Sequence, residues 1–360
     1  MTPQNISLGR LHTHHLLDPK FPTAADAVSF FGAVQAQDYL ASLWALGLRT
    51  RDATEATIEQ AIADRAIIRT WPLRGTIHFV TAADARWMLE LSAPRALTGN
   101  AARLRELELD DAVFAQSRSV LAGVLNDGRP HTRRALLEAL DAAGISTAGQ
   151  RGIHILGRLA QEGLICIGPR VGKQQAFVLL DAWLPPSQKL ARDEAVAELT
   201  RRYFNSHGPA TVQDYTWWSG LAPAEARAGL EAVNGELSRE EIDGRTVWFT
   251  PSPAPPQAVS PIVHLLPVYD EYVVAYKDRS AVLAPEYAAR PDAGNGIFRA
   301  PILIDGQIAG TWTRKLKMKA VIISPNLFRG LTGDEERALL AAAKRYGAFL
   351  RLSAELAQVS

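Results

Sequence analysis

Between His131 and Leu180 the hydrophobic period changes from helical to alternating, and short turns separate every change. "HTRRALLEALDAAG" carries apolar residues at helical spacing until Gly144 breaks it. "AGQRGIHILGRLAQEG" is a second helix, closed by Gly163 where a left-handed C-cap is favoured. "LICIGP" and "QAFVLL" then read as strands joined by the loop "RVGKQ". With "VFAQSRSVLAGVL" as the preceding helix, the segment predicts a winged helix-turn-helix.

The same order recurs on either side. From Leu190, "LARDEAVAELTRRYFNSHG", "TVQDYTWWSG" (with Thr211 as N-cap) and "APAEARAGLEAV" are helices. A strand pair turning at Asp243-Gly244 follows them. Toward the N-terminus, helices near 8–17, 24–34, 38–47 and 54–63 lead into the strand pair "AIIRTWPLRGTIHFV". Units about 80 residues apart indicate a tandem array. The segment "PSPAPPQAVSPI" is a linker or a tightly routed connection. Beyond it lie the β-rich stretches "IVHLLPVYDEYVVAY", "APILIDGQIAGTWTR" and "MKAVIIS". The closing helix "TGDEERALLAAAKRYGAFL" has Thr332 and Glu335 at capping-box spacing. The expected class is α+β, with tandem winged helix-turn-helix units and a C-terminal β-rich region. Residues 1–100, 101–185 and 186–255 make three winged-helix units, and 256–360 the β-rich region.

Lys and Arg number 39 against 38 Asp and Glu, so a nucleic-acid partner would have to meet positive charge concentrated on one surface. The single cysteine, Cys166, excludes an internal disulfide and a cysteine zinc site, and its apolar strand context assigns it to the core. No apolar run reaches the roughly 18 residues of a membrane span, and the N-terminus lacks a signal-peptide pattern. A cytoplasmic protein is expected, with no membrane partner. No strand–loop–helix context marks "GNGIFR" or "GQIAGTW" as a phosphate loop.

The second helix, "AGQRGIHILGRLAQEG", carries Gln150, Arg151, His154 and Arg158 at spacings that allow one shared face, and its wing adds Arg170 and Lys173. These are candidate DNA contacts, or a solvated helix face. In "TRKLKMKAV", which begins at Thr313, Arg314 precedes an alternation. If that segment is extended, Lys315, Lys317 and Lys319 face one way and Leu316 and Met318 the other. Three lysines on one face suit phosphates, and equally suit an edge strand protected from aggregation. His12, His14 and His15 lack metal-ligand spacing, and no metal is expected. His78 reads as structural. In "YDEY", Asp270 and Glu271 would point to opposite faces of a strand, so they form no ready acid/base pair.

Four stretches, "VQAQDYLASLWALGLRTR", "RTWPLRGTIHFVTAADARWML", "LLPVYDEYVVAYKDR" and "GQIAGTWTRK", resemble the AlkZ/YcaQ-type family of bacterial winged-helix DNA glycosylases, in the same order over nearly the whole chain. The resemblance implies a C-shaped array of winged-helix units cradling duplex DNA, and excision of alkylated purines or unhooking of interstrand crosslinks. A monomer suits that DNA-cradling shape, and a bacterial, nucleoid-associated enzyme without cofactor is expected. The resemblance implies a catalytic Gln-x-Gln or Gln-x-Asp motif, which falls here on Gln35 and Gln37, the Gln-x-Gln version. Asp38 follows the motif and is not the family's acidic position. A DNA-touching β-hairpin is implied, placed at Ile302 to Thr313.

Two amides can suffice for this chemistry. Alkylating a purine's imidazole ring makes the base a cationic leaving group, so leaving-group protonation is unnecessary. What remains is to hold a water at the anomeric carbon and offer oxygen dipoles to an oxocarbenium-like transition state. Glutamine carbonyls do both. A regular helix would splay residues two apart by about 200°, so a turn or loop is expected at the motif. A non-catalytic winged-helix regulator or a lesion-shielding resistance protein would share the fold, and the Gln pair separates these from an enzyme.

Overall fold

The computed structural model describes residues 3–17, 20–187, 189–242, 244–251, 260–288 and 299–357. In chain order the first elements are α1 (Pro3–Thr13), α2 (Ala24–Phe31), β1 (Val34–Gln35), α3 (Tyr39–Arg49) and α4 (Glu55–Ala63). Next come β2 (Ile67–Leu73), β3 (Thr76–Thr81), α5 (Ala85–Gly99), α6 (Ala101–Glu106), α7 (Asp111–Leu125) and β4 (His131–Thr132). Then α8 (Arg133–Ala142), α9 (Arg151–Gln161), β5 (Ile165–Ile167), β6 (Ala176–Leu179) and α10 (Leu180–Trp183). They are followed by α11 (Arg192–His207), α12 (Val212–Ser219), α13 (Pro223–Ala232), β7 (Ser238–Ile242) and β8 (Arg245–Phe249). The chain continues with β9 (Val263–Leu265), α14 (Glu271–Val274), α15 (Pro285–Ala288) and β10 (Ala300–Ile304). It ends with β11 (Gln307–Leu316), β12 (Ala320–Leu327), α16 (Gly333–Leu350) and β13 (Ser353–Leu356). The linker "PSPAPPQAVSPI" falls almost wholly outside the described residues, as do Asp243 and most of "GNGIFR".

Two compact units divide the chain: Met1–Ile58 with Ala197–Trp218 and Ala222–Ser360, and Glu59–Val196 with Ser219–Leu221. In the second, strands run in the order β3-β2-β5-β6-β4, all antiparallel, with Arg69 opposite Ile167 and His131 opposite Phe177. Helices α7, α8 and α9 then strands β5 and β6 follow the order expected from the sequence. Thr132 caps α8 through Ala135 N at 3.3 Å, and Gly144 and Gly163 take φ of 82° and 76°. Their apolar stripe, including Phe114, Leu121, Leu136, Leu140, Ile155 and Leu159, is buried, as is Cys166. His78 is fully buried on β3 with Nδ1 3.0 Å from Thr76 O, a structural residue as expected.

The first unit is built on the sheet β13-β12-β11-β10-β9 with α16 crossing between β12 and the parallel β13. Thr332 and Glu335 form the expected capping box. Trp44 of α3 packs edge-on to Tyr346 of α16 (centroids 4.9 Å apart), and Trp312 of β11 does the same at 5.1 Å. The two indole N–H groups donate to consecutive carbonyls, Leu265 O and Leu266 O, each at 2.7 Å. Gly47 is required where α3 meets α16: a Cβ there would lie 2.5 Å from the Phe349 ring.

Three expectations fail in this unit. "YDEYVV" is not a strand: Asp270 accepts from Tyr272 N at 3.0 Å and caps the short helix α14, so local capping overrides the β propensity of its aromatic and β-branched residues. The Ile302–Thr313 hairpin, read from the sequence as projecting with Asp305-Gly306 at its tip, has that turn packed against the unit instead. Asp305 accepts from Ser260 Oγ (2.7 Å) and Ile262 N (2.9 Å), Gly306 O accepts from the Tyr272 hydroxyl (3.0 Å), and Ile302, Leu303 and Ile304 are core residues. The lysine segment is not one strand with an apolar buried face. β11 stops at Leu316, Lys317 N donates to Ala320 O across the turn, and Leu316 and Met318 are 53% and 92% exposed.

Candidate active site

The Gln-x-Gln segment lies where β1 passes into α3. Val34 and Ala36 are buried, Gln35 is half-buried and Gln37 is exposed. β1 ends at Gln35, and Gln37 lies in the bend that leads into α3. Asp38 then starts α3 by accepting from Ala41 N at 2.9 Å.

Gln35 is anchored by its backbone. Its N–H donates to Glu271 Oε1 at 2.6 Å, although 236 residues separate them. The other oxygen of that carboxylate accepts from Trp218 Nε1 at 2.9 Å. Glu271 is only 2% exposed, and a buried carboxylate requires such donors. The Gln35 side-chain Oε1 is also buried, but has no hydrogen-bond partner among the described residues. Buried carbonyls without a donor are uncommon, and this one belongs to the motif.

Behind Glu271 lies a network of neutral histidines. His207 Nε2 stands 3.4 Å from Glu271 Oε2, longer than a hydrogen bond should be, and its Nδ1 is 2.7 Å from Ser206 Oγ. The Tyr276 hydroxyl donates to His207 O at 2.7 Å, so its oxygen accepts from His14 Nε2–H at 2.8 Å. That leaves His14 Nδ1 as the acceptor facing Arg49, 3.5 Å away. Burial, reinforced by His207 and Arg49, holds the His14 pKa well below its ordinary value. Burial also lowers that of His207, despite the opposing pull of Glu271. Burial thus disfavours the imidazolium form of both rings.

Arg49 and Asp270 complete the support. The guanidinium grips both carboxylate oxygens (2.9 and 2.7 Å) while donating to Ala45 O and His14 O, and both side chains are almost fully buried. The adjacent carboxylates of "YDEY" therefore divide the work: Asp270 locks α3 to α14, and Glu271 holds the Gln35 backbone. Glu271 and Trp218 were not legible as site residues. The one available signal was two acids placed inside an apolar run.

The candidate DNA contacts separate into committed and open groups. Arg151 donates to the carbonyls of Leu107, Glu108 and Ser146, and Arg158 pairs with Glu162 at 2.5 Å and lies over the Phe114 ring. His154 is half-buried, and burial with Arg103 nearby lowers its pKa. Arg170 pairs with Glu59. Lys173 is exposed on the wing, and Lys315, Lys317 and Lys319 are exposed at the β11–β12 tip, with Arg314 half-buried below them.

The description "DNA glycosylase AlkZ-like" fits residues 28–349. An interstrand DNA cross-link repair glycosylase from Streptomyces sahachiroi is 26% identical over 317 residues, 82% of this chain and 84% of that protein. The solved structure of Streptomyces sahachiroi DNA glycosylase AlkZ has the same fold, with a TM-score of 0.78 at 22% identity over 99% of this chain and 100% of that one. No helix among the described residues is long and apolar enough to cross a membrane. The chain belongs to the AlkZ-like DNA glycosylase family.

Proposed function

We propose that this DNA glycosylase hydrolyses the N-glycosidic bond of cationic alkylated purines in duplex DNA, and unhooks interstrand crosslinks built on such purines, as a monofunctional enzyme with water as nucleophile. The observation that carries this is the Gln35 amide: its backbone is held by Glu271 while its side-chain oxygen is left without a donor. That oxygen and the Gln37 amide hold a water against C1′ and offer their dipoles to the developing oxocarbenium ion. The water oxygen bonds to C1′, the C1′–N9 pair leaves with the base and cancels its positive charge, and the surplus water proton passes to solvent. Undamaged purines are poor leaving groups and are left alone.

Three winged-helix units and the C-terminal β-rich region would cradle DNA, the enzyme acting as a bacterial cytoplasmic monomer at the nucleoid. Lys173, Lys315, Lys317 and Lys319 are the phosphate contacts best supported by exposure, with Arg314 supporting the hairpin. Arg151 and Arg158 contact DNA only by giving up their present partners, and His154 is half-buried. The test is base release from a duplex with one N7-alkylguanine, read as alkali-cleavable abasic product. Replacing both Gln35 and Gln37 by Ala abolishes release and leaves binding intact. Release at the wild-type rate by that variant refutes the assignment.

A further inference from the structure

Beside the Gln-x-Gln turn, the first unit contains a cavity of about 180 Å³. Its walls include Trp44, Trp312 and Tyr346, with Leu40, Val268 and Ala300, and Asp38 and Arg314 also face it. Asp38 is the residue after Gln37, so the cavity begins one residue from the motif. Both indole N–H groups are committed to backbone carbonyls, which leaves the walls apolar rings. Tyr346 is fully buried, yet its hydroxyl has no hydrogen-bond partner among the described residues. The Arg314 guanidinium lies 5.5 Å from the centre of that ring. Nothing in hydrolysis by the two amides uses this space.

An apolar cavity of about 150 Å³ is enough to take a benzene ring. Aromatic walls favour a flat aromatic guest through edge-to-face contact. We propose that this cavity is a subsite for an aromatic substituent on the alkylated purine, the part of the lesion that is neither base nor sugar. The inference rests on the proposed excision of alkylated purines and adds a preference to it: aromatic adducts are processed faster than methyl ones.

The test uses two duplexes, one with a single N7-methylguanine and one with N7-benzylguanine. Each kcat/KM is divided by the spontaneous depurination rate of the same duplex. The wild-type enzyme favours the benzyl lesion by about tenfold or more, as burial of much of a phenyl ring implies. Ala300→Phe and Val268→Trp, which fill the cavity from two different segments, bring that ratio close to one. A wild-type ratio near one, or a ratio unchanged in cavity-filled variants with native thermal midpoints, overturns the subsite. Equal loss on both lesions also overturns it, because the space then serves the base or the fold. A binding arm keeps the two proposals apart: the Gln35→Ala/Gln37→Ala protein should still bind the benzyl duplex more tightly than the methyl one. If wild type excises neither lesion but that preference holds, the glycosylase reading fails and the subsite stands. If neither excision nor preference is found, both fail.

Discussion

Replacing Glu271 by Gln tests whether the motif is held from outside itself. The carboxylate now accepts from Gln35 N and Trp218 Nε1, one oxygen for each. An amide of the same shape has one acceptor oxygen, so its NH2 must face one of those two donors. A hydrogen bond to a charged group is worth about 1.5–3 kcal/mol, and an orphaned buried donor costs about 1–3 kcal/mol. If about 2 kcal/mol of this falls on the placement of Gln35, the excision rate falls roughly 30-fold. A displacement of about 1 Å at a reacting group is worth about 100-fold by itself. Single-turnover excision should therefore drop by about 10- to 100-fold, while the Kd for lesion duplex stays within about twofold because Glu271 is buried. Trp218→Phe removes only the second donor, and should lower stability with a much smaller effect on rate. If Glu271→Gln unfolds earlier but excises at the wild-type rate, the carboxylate is structural and the reasoning is refuted.

Removing the three hairpin lysines together (Lys315→Ala, Lys317→Ala, Lys319→Ala) should reduce the slope of log Kd against log salt by about 2–3, and an unchanged slope would mark them as guards against aggregation. Stability should fall as pH drops from 7 toward 5. His14, His207 and His264 have pKa values lowered by burial, so the unfolded chain binds protons that the folded chain refuses. Their stabilisation is present above the unfolded value near 6.5 and lost below it, at up to about 1.4 kcal/mol per pH unit for each histidine. Urea titrations at several pH values check this, and equal stability at pH 7 and pH 5 would contradict it.

Local physics made much of this fold readable. Gly144 and Gly163 stop helices with positive φ, Thr332 and Glu335 close a capping box, and alternation located β5, β6, β10 and β12. Local signals also misled where two of them competed. In "YDEYVV" the Asp270 cap outweighed β propensity, and at Leu316–Met318 alternation continued past the end of the strand into an exposed turn. Helix α5 was not read, because Pro94 interrupts its pattern, and β13 pairs in parallel with β12 only after α16 has crossed over. The site divides in the same way. The Gln pair sits at a strand-to-helix turn, as spacing required. Its support by Glu271 and Trp218 comes from residues 236 and about 180 positions away, and no periodicity encodes contacts at that range.

The central claim is that the chemistry runs on amide dipoles, without a titrating acid or base. The direct measurement is single-turnover excision of N7-alkylguanine from pH 6.5 to 8.5, each rate corrected for spontaneous depurination. Two glutamines, with the buried histidines behind them already neutral, predict a profile flat within about twofold. A tenfold change per pH unit over part of that range, or a bell shape, would show that an ionising group takes part in the step, and would contradict the claim.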